Sequence, residues 1–126
     1  MKKEFEIKKC LKCGAMIEVL TPCTCENCGI KCCGETMQTV MANSTDAAQE
    51  KHLPVYEVVG SYIVANVPHV MEEDHFIEYI ALDSDTISAK KYLKIGSEAK
   101  VVFPYIKGSK LYAYCNKHGL WSTIVK

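Results

Sequence analysis

Eight Cys and four His carry most of the chemistry open to this chain of 126 residues. Cys10-x-x-Cys13 has the spacing of a metal knuckle: a two-residue gap lets both sulfurs face one ion, with backbone N–H groups turned toward them. Cys32-Cys33 is an adjacent pair. Neighbouring side chains on an extended strand point apart, so the backbone must turn sharply for both to reach one ion, and Gly34 eases that turn. Cys25-x-x-Cys28 is a second candidate knuckle. Two ligand sets are therefore open: Cys10, Cys13, Cys32 and Cys33, or Cys10, Cys13, Cys25 and Cys28. Four thiolates in a tetrahedral array suit iron and zinc alike.

All four His (His52, His69, His75, His118) lie beyond this stretch, together with the eighth cysteine, Cys115. A lone His on a strand is more often a packed or surface residue than a ligand. The set points elsewhere. His69 follows Pro68 in a loop, His75 opens a strand, and His118 comes three residues after Cys115 at a strand-to-strand turn. Four neutral imidazoles and one thiolate give five ligands, with a net charge of about +1 on ferrous iron. Structural zinc closes with four ligands; this set suits redox-active iron or copper and leaves a sixth position for a small oxidant.

The elements that must position these residues read as short strands. Residues 4–9, 16–20 and 36–41 are strand candidates around the cysteine-rich turns. A part this small buries little core and needs a metal or disulfide staple. The polar stretch 43–49 reads as a linker. Beyond it come seven candidates, 54–59, 61–67, 75–82, 87–94, 100–105, 110–115 and 120–125, rich in Val, Ile, Tyr or Phe and mostly bounded by Gly, Pro, Asp or Ser. In 110–115, Leu111, Ala113 and Cys115 share one face. No long helical pattern is present. The expected fold is all-β: a small metal-stapled N-terminal β domain, then a seven-stranded immunoglobulin-like β-sandwich whose loops gather the His at one end.

Composition narrows the function. Apolar residues make up 48% and charged residues 24%, a globular balance. Fifteen Lys against fifteen acidic residues, with no Arg, give no basic excess, so nucleic acid is not the expected partner. No apolar run is long enough to span a bilayer, and the opening residues lack the apolar core of a secretory signal. A cytoplasmic location without membrane attachment is expected, and in that reducing compartment clustered Cys read as metal ligands before disulfides.

At this point the motifs resemble a known family. Cys10-x-x-Cys13-Gly14 and Cys32-Cys33-Gly34-Glu35-x-Met37 resemble the desulforedoxin-like domain of desulfoferrodoxins, the two-iron superoxide reductases. Glu50-Lys51-His52-x-Pro54, Pro68-His69-x-Met71-Glu72-Glu73-x-His75 and Cys115-Asn116-x-His118-Gly119-x-Trp121 resemble the catalytic iron motifs of that family. The match covers almost the whole chain, three catalytic motifs in order.

The resemblance implies a desulforedoxin-like tetrathiolate domain over 1–42 and a neelaredoxin-like superoxide reductase domain over 43–126. It implies His52, His69, His75 and His118 as equatorial iron ligands, Cys115 as the axial thiolate, and superoxide at the position opposite the sulfur. Lys51 would attract the anion and orient a water, and Glu50 would close onto the oxidised iron. Cys10, Cys13, Cys32 and Cys33 would hold a second iron, or zinc. The implied reaction is one-electron reduction of superoxide to hydrogen peroxide, with electrons from rubredoxin or a similar small donor, in a homodimer of an anaerobe. Cys23, Cys25 and Cys28 depart from the family pattern: Cys25 and Cys28 have the spacing of a disulfide or chelate, and Cys23 reads as a loop cysteine without a role. Two other readings compete, a two-metal electron-transfer protein without turnover and a zinc-stapled interaction module. The Glu50-Lys51 pair directly before a ligand His favours the enzyme.

Overall fold

The computed structural model describes residues 4–26 and 29–126, so Cys28 and its part in any pairing lie outside the described residues. The chain divides into two compact units, Met1–Met41 and Ala42–Lys126.

In the first unit, β1 (Ile7–Lys9) pairs antiparallel with β2 (Met16–Glu18), and the knuckle Cys10–Cys13 is the turn between them. Cys10 N donates to Ala15 O at 2.8 Å and Gly14 N to Cys10 O at 2.9 Å. β3 (Lys31–Cys32) and β4 (Glu35–Thr36) form a tight hairpin, and β5 (Gln38–Thr39) joins the free edge of β1. The strand expected over 36–41 is thus broken at buried Met37. There the chain leaves its pairing with β3 and crosses to β1, and Met37 N donates to Ile30 O.

The second unit is the expected seven-stranded sandwich. One sheet has the order β10-β7-β6, from β6 (Val55–Val59), β7 (Tyr62–Asn66) and β10 (Lys100–Pro104). The other has the order β12-β11-β8-β9, from β8 (Ile77–Asp83), β9 (Ser88–Tyr92), β11 (Lys110–Cys115) and β12 (Gly119–Ile124). All pairings are antiparallel. Ile63, Ala65 and Phe103 of the first sheet form one core with Ile80, Leu82, Leu111 and Ala113 of the second. Their alternation along each strand is what makes one face of each sheet apolar. The central strands β8 and β11 are buried on the opposite face too, through Tyr79, Tyr112 and Tyr114. Tyr79 and Tyr114 stack there, with centroids 5.9 Å apart.

Two features depart from expectation. The stretch 43–49, read as a linker within the expected 43–126 domain, is tied to a strand at its first residue. Asn43, at φ +59°, donates its backbone N–H to Leu120 O and accepts Ser122 N–H on its side-chain oxygen, both at 2.9 Å. It thereby supplies partners to the outer edge of β12, which otherwise has a strand on one side only. A four-residue helix, α1 (Gln49–His52), follows, and Pro54 forbids its continuation. Among the described residues no helix is long and apolar enough to cross a membrane.

Candidate metal centres

Antiparallel pairing brings five residues to one end of the sandwich. β6 starts where β7 ends, and β8 starts where β11 ends, because Val55 pairs with Asn66 and Cys115 with Ile77. His52 precedes β6, His69 follows β7, His75 precedes β8, Cys115 closes β11, and His118 stands in the turn to β12. The ligand atoms of these five side chains all lie within 4.8 Å of one another.

Local bonds fix which ring atom each His presents. His52 Nδ1 meets Ala48 O at 2.8 Å, and His69 Nδ1 meets Val70 O at 2.6 Å. A carbonyl only accepts, so each Nδ1 carries the proton and each Nε2 lone pair faces the cluster. His118 turns Nδ1 inward, 3.0 Å from His52 Nε2 and 3.8 Å from Cys115 Sγ. His69 Nε2 lies 3.4 Å from that sulfur. His118 N–H donates to Cys115 Sγ at 3.4 Å, whereas the Asn116 backbone N–H goes to Phe76 O at 3.1 Å. Gly119 closes the turn at φ +81°, and a Cβ there would meet Thr45 Oγ1 at 3.0 Å. Trp121 lies beneath His52 with centroids 5.0 Å apart and gives its indole N–H to His118 O at 3.1 Å.

The residues fit a metal. Neighbouring nitrogens about 2.1 Å from one ion at right angles would sit about 3.0 Å apart, as His52 Nε2 and His118 Nδ1 do. His75 Nε2 is buried in the cluster with no hydrogen-bond partner, a cost that a metal bond removes. Burial, then the other imidazoles, lowers the pKa of His118; burial also dominates the lowering at His69. Both shifts favour the neutral ring that binds metal.

A cleft of about 690 Å³ opens onto the cluster, with Lys51, His52, His69, His75, Glu98 and Lys100 in its lining. Lys51 is exposed at this mouth. Glu50 is exposed on α1 and is not part of the lining.

The second cluster is Cys10, Cys13, Cys32 and Cys33, again with sulfurs mutually within 4.8 Å. The adjacent pair converges because Cys33 and Gly34 both adopt positive φ, +55° and +77°, in the two-residue turn of the β3–β4 hairpin. Cys13 and Cys32 sulfurs are 3.6 Å apart, and Cys32 and Cys33 sulfurs 3.9 Å. Tetrahedral thiolates on metal–sulfur bonds of about 2.3 Å would be about 3.8 Å apart. The Cys13 amide on Cys10 Sγ lowers that thiol to about 7, while hydrogen bonds with the Cys13 and Cys10 thiols push Cys32 up to about 12. Four such groups ionise together only around a cation. Cys25 is free and exposed outside the cluster. Cys23 is disulfide-bonded, which corrects its reading as an uninvolved loop cysteine.

The desulfoferrodoxin family model matches residues 44–124. The chain belongs to the desulfoferrodoxin family. The desulfoferrodoxin of Syntrophotalea carbinolica is 40% identical, over 98% of each chain, and that of Nitratidesulfovibrio vulgaris is 41% identical over 96% of this chain and 97% of its own. Among solved structures, the superoxide reductase of Treponema pallidum superposes with a TM-score of 0.73 at 27% identity, covering 96% of this chain and 99% of that one. Desulfoferrodoxin membership therefore extends over both units and both cysteine-bearing clusters.

The sequence motifs named all nine clustered side chains. They gave no sign of the carbonyls Ala48 O and Val70 O, since carbonyl partners leave no spacing signature; Asn116 stood in a motif, but its contacts across to residues 74 and 76 did not show there.

Proposed function

We propose that this chain is a superoxide reductase, catalysing one-electron reduction of superoxide, with two protons, to hydrogen peroxide. The observation that carries this reading is the convergence of four imidazoles and one thiolate beside an open cleft that Lys51 also lines. His52, His69, His75, His118 and Cys115 would hold iron, which when bound supplies the single electron by passing from ferrous to ferric. The Cys115 sulfur would donate charge to that centre, moderated by the His118 N–H. Lys51 draws the superoxide anion into the cleft by long-range attraction and holds a water for proton delivery. Glu50, exposed on α1 outside the cleft lining, would act in the oxidised resting state by moving in to close the open position when no substrate is present.

In the same reading Cys10, Cys13, Cys32 and Cys33 hold the second metal. As iron it relays electrons from rubredoxin or a similar small donor; as zinc it staples the N-terminal domain. Residues 1–42 form that domain and 43–126 the catalytic one. The same reading takes the protein as cytoplasmic, in an anaerobe, and as a homodimer, the last because a lobe as small as the first gains core by pairing; light scattering tests the dimer. A plain electron shuttle needs neither an open cleft nor a Lys at its mouth.

The test is the product balance with excess reduced donor. A reductase yields one peroxide for each superoxide consumed. One peroxide per two superoxide, with oxygen released, would mark a dismutase and overturn the reading.

A further inference from the structure

His75 differs from its neighbours in how it is held. Carbonyls orient the rings of His52 and His69. Among the described residues no hydrogen bond orients the His75 ring, and its Nε2 is buried without a partner. Its backbone bridges to Glu72 within the same loop, with Glu72 N donating to His75 O at 2.9 Å and His75 N to Glu72 O at 3.2 Å, but the β8–β11 ladder stops short of the segment. Tyr114 pairs with Tyr79 but Cys115 pairs with Ile77, so the register shifts at the very residue that bears the thiolate. Beyond that shift the ladder is continued by one side chain. Asn116 N donates to Phe76 O at 3.1 Å, Phe76 N donates to Asn116 Oδ1 at 2.9 Å, and Asn116 Nδ2 donates to Asp74 O at 3.0 Å. The two partners, one donor and one acceptor, fix the orientation of the amide. Both residues flanking His75 are therefore bound to the residue that follows Cys115.

We propose that Asn116 is a positioning residue of the iron site: its side-chain amide, acting as an extra rung of the β8–β11 ladder, sets the His75 imidazole against the Cys115 sulfur. The Lys117–Asp74 ion pair spans the same gap but is exposed and 3.8 Å long, too weak to replace the clamp. Asn116 touches neither substrate nor metal in this scheme; it acts through the backbone of residues 74–76. The proposal rests on the five-ligand reading above.

The test uses the full iron-loaded chain with three substitutions. Asn116→Ala removes both side-chain bonds. Asn116→Asp keeps the acceptor for Phe76 N–H and sets a carboxylate oxygen against Asp74 O. Ser84→Ala, in the β8–β9 turn at the far end of the sandwich, removes bonds to Thr86 and Ile87 as a control. The readouts are the thiolate-to-iron absorption band, iron affinity by chelator competition, and melting of the metal-free form. Asn116→Ala should shift the band and weaken iron binding by about 10–100-fold, the range for groups supporting metal ligands. Asn116→Asp should do so to a smaller degree, and Ser84→Ala should lower melting alone. An unshifted band and parental affinity in Asn116→Ala would overturn the proposal, as would equal changes in Ser84→Ala. Should Asn116→Ala not fold, an unshifted band in Asn116→Asp overturns it. A parent protein lacking the band would instead refute the five-ligand reading itself.

Discussion

The ring of Trp121 lies against that of His52, centroids 5.0 Å apart and planes within 24° of parallel. Trp121 is the chain's one Trp and is 1% exposed, so its emission reports on a single imidazole. Iron loading should quench that emission, and chelation should restore it. Trp121→Ala should cost about 3–5 kcal/mol of stability, as large core truncations do, and loosen both His52 and His118. Fluorescence indifferent to iron would place the metal away from His52.

Capture of superoxide should depend on Lys51. Lys51→Ala removes an exposed cation at the cleft mouth, so the second-order rate should fall on the order of tenfold, with a weaker dependence on ionic strength. Glu50→Ala should leave the reductive step intact and alter the spectrum of the oxidised resting protein. Pulse radiolysis measures both rates. An unchanged capture rate in Lys51→Ala would reduce this Lys to a solvated charge.

The N-terminal ligand set is open to a paired substitution. Cys32→Ser/Cys33→Ser should abolish metal at that site, since both sulfurs face Cys10 and Cys13. Cys25→Ser/Cys28→Ser should retain it. Metal analysis per chain decides, and the reverse pattern would move the site to the Cys25 knuckle.

Acid should destabilise the metal-free protein. Burial holds His69 and His118 below the ordinary imidazole value of 6.5 in the fold. The unfolded chain then binds more protons in that range, so stability rises with pH through the window ending near 6.5 and is lost as pH falls below it. The melting temperature of metal-free protein should drop between pH 7.5 and 5.5, and that of the iron-loaded form by at least as much, because the metal keeps its ligands deprotonated in the fold while unfolding frees the same imidazoles to take up protons. A flat profile for the metal-free form would contradict the sign.

Much of this was legible before any fold was known. The seven sandwich strands declare themselves by apolar alternation between turn residues, and Leu111, Ala113 and Cys115 do share a buried face. What escaped was set by tertiary pairing. α1 spans four residues, too few for a helical period, and is closed by Leu53 N–H on Gln49 O and by His52 Nδ1 on Ala48 O. The hairpin at Cys33-Gly34 rests on a non-glycine residue at positive φ, which composition does not announce. Asn43 looked like linker because its polarity is ordinary; only the free edge of β12 gives it work. Likewise, the register shift at Cys115 follows from strand order, which no single segment encodes.

That Cys115 and four His hold one iron that reduces superoxide is open to a single substitution. Cys115→Ser, examined for iron content, visible spectrum and superoxide rate, tests it most directly. Loss of the thiolate-to-iron band is expected, with a fall in reductase rate of about 100-fold or more, the upper end for groups that tune a metal. A Cys115→Ser protein that keeps the parental band and the parental rate would contradict it.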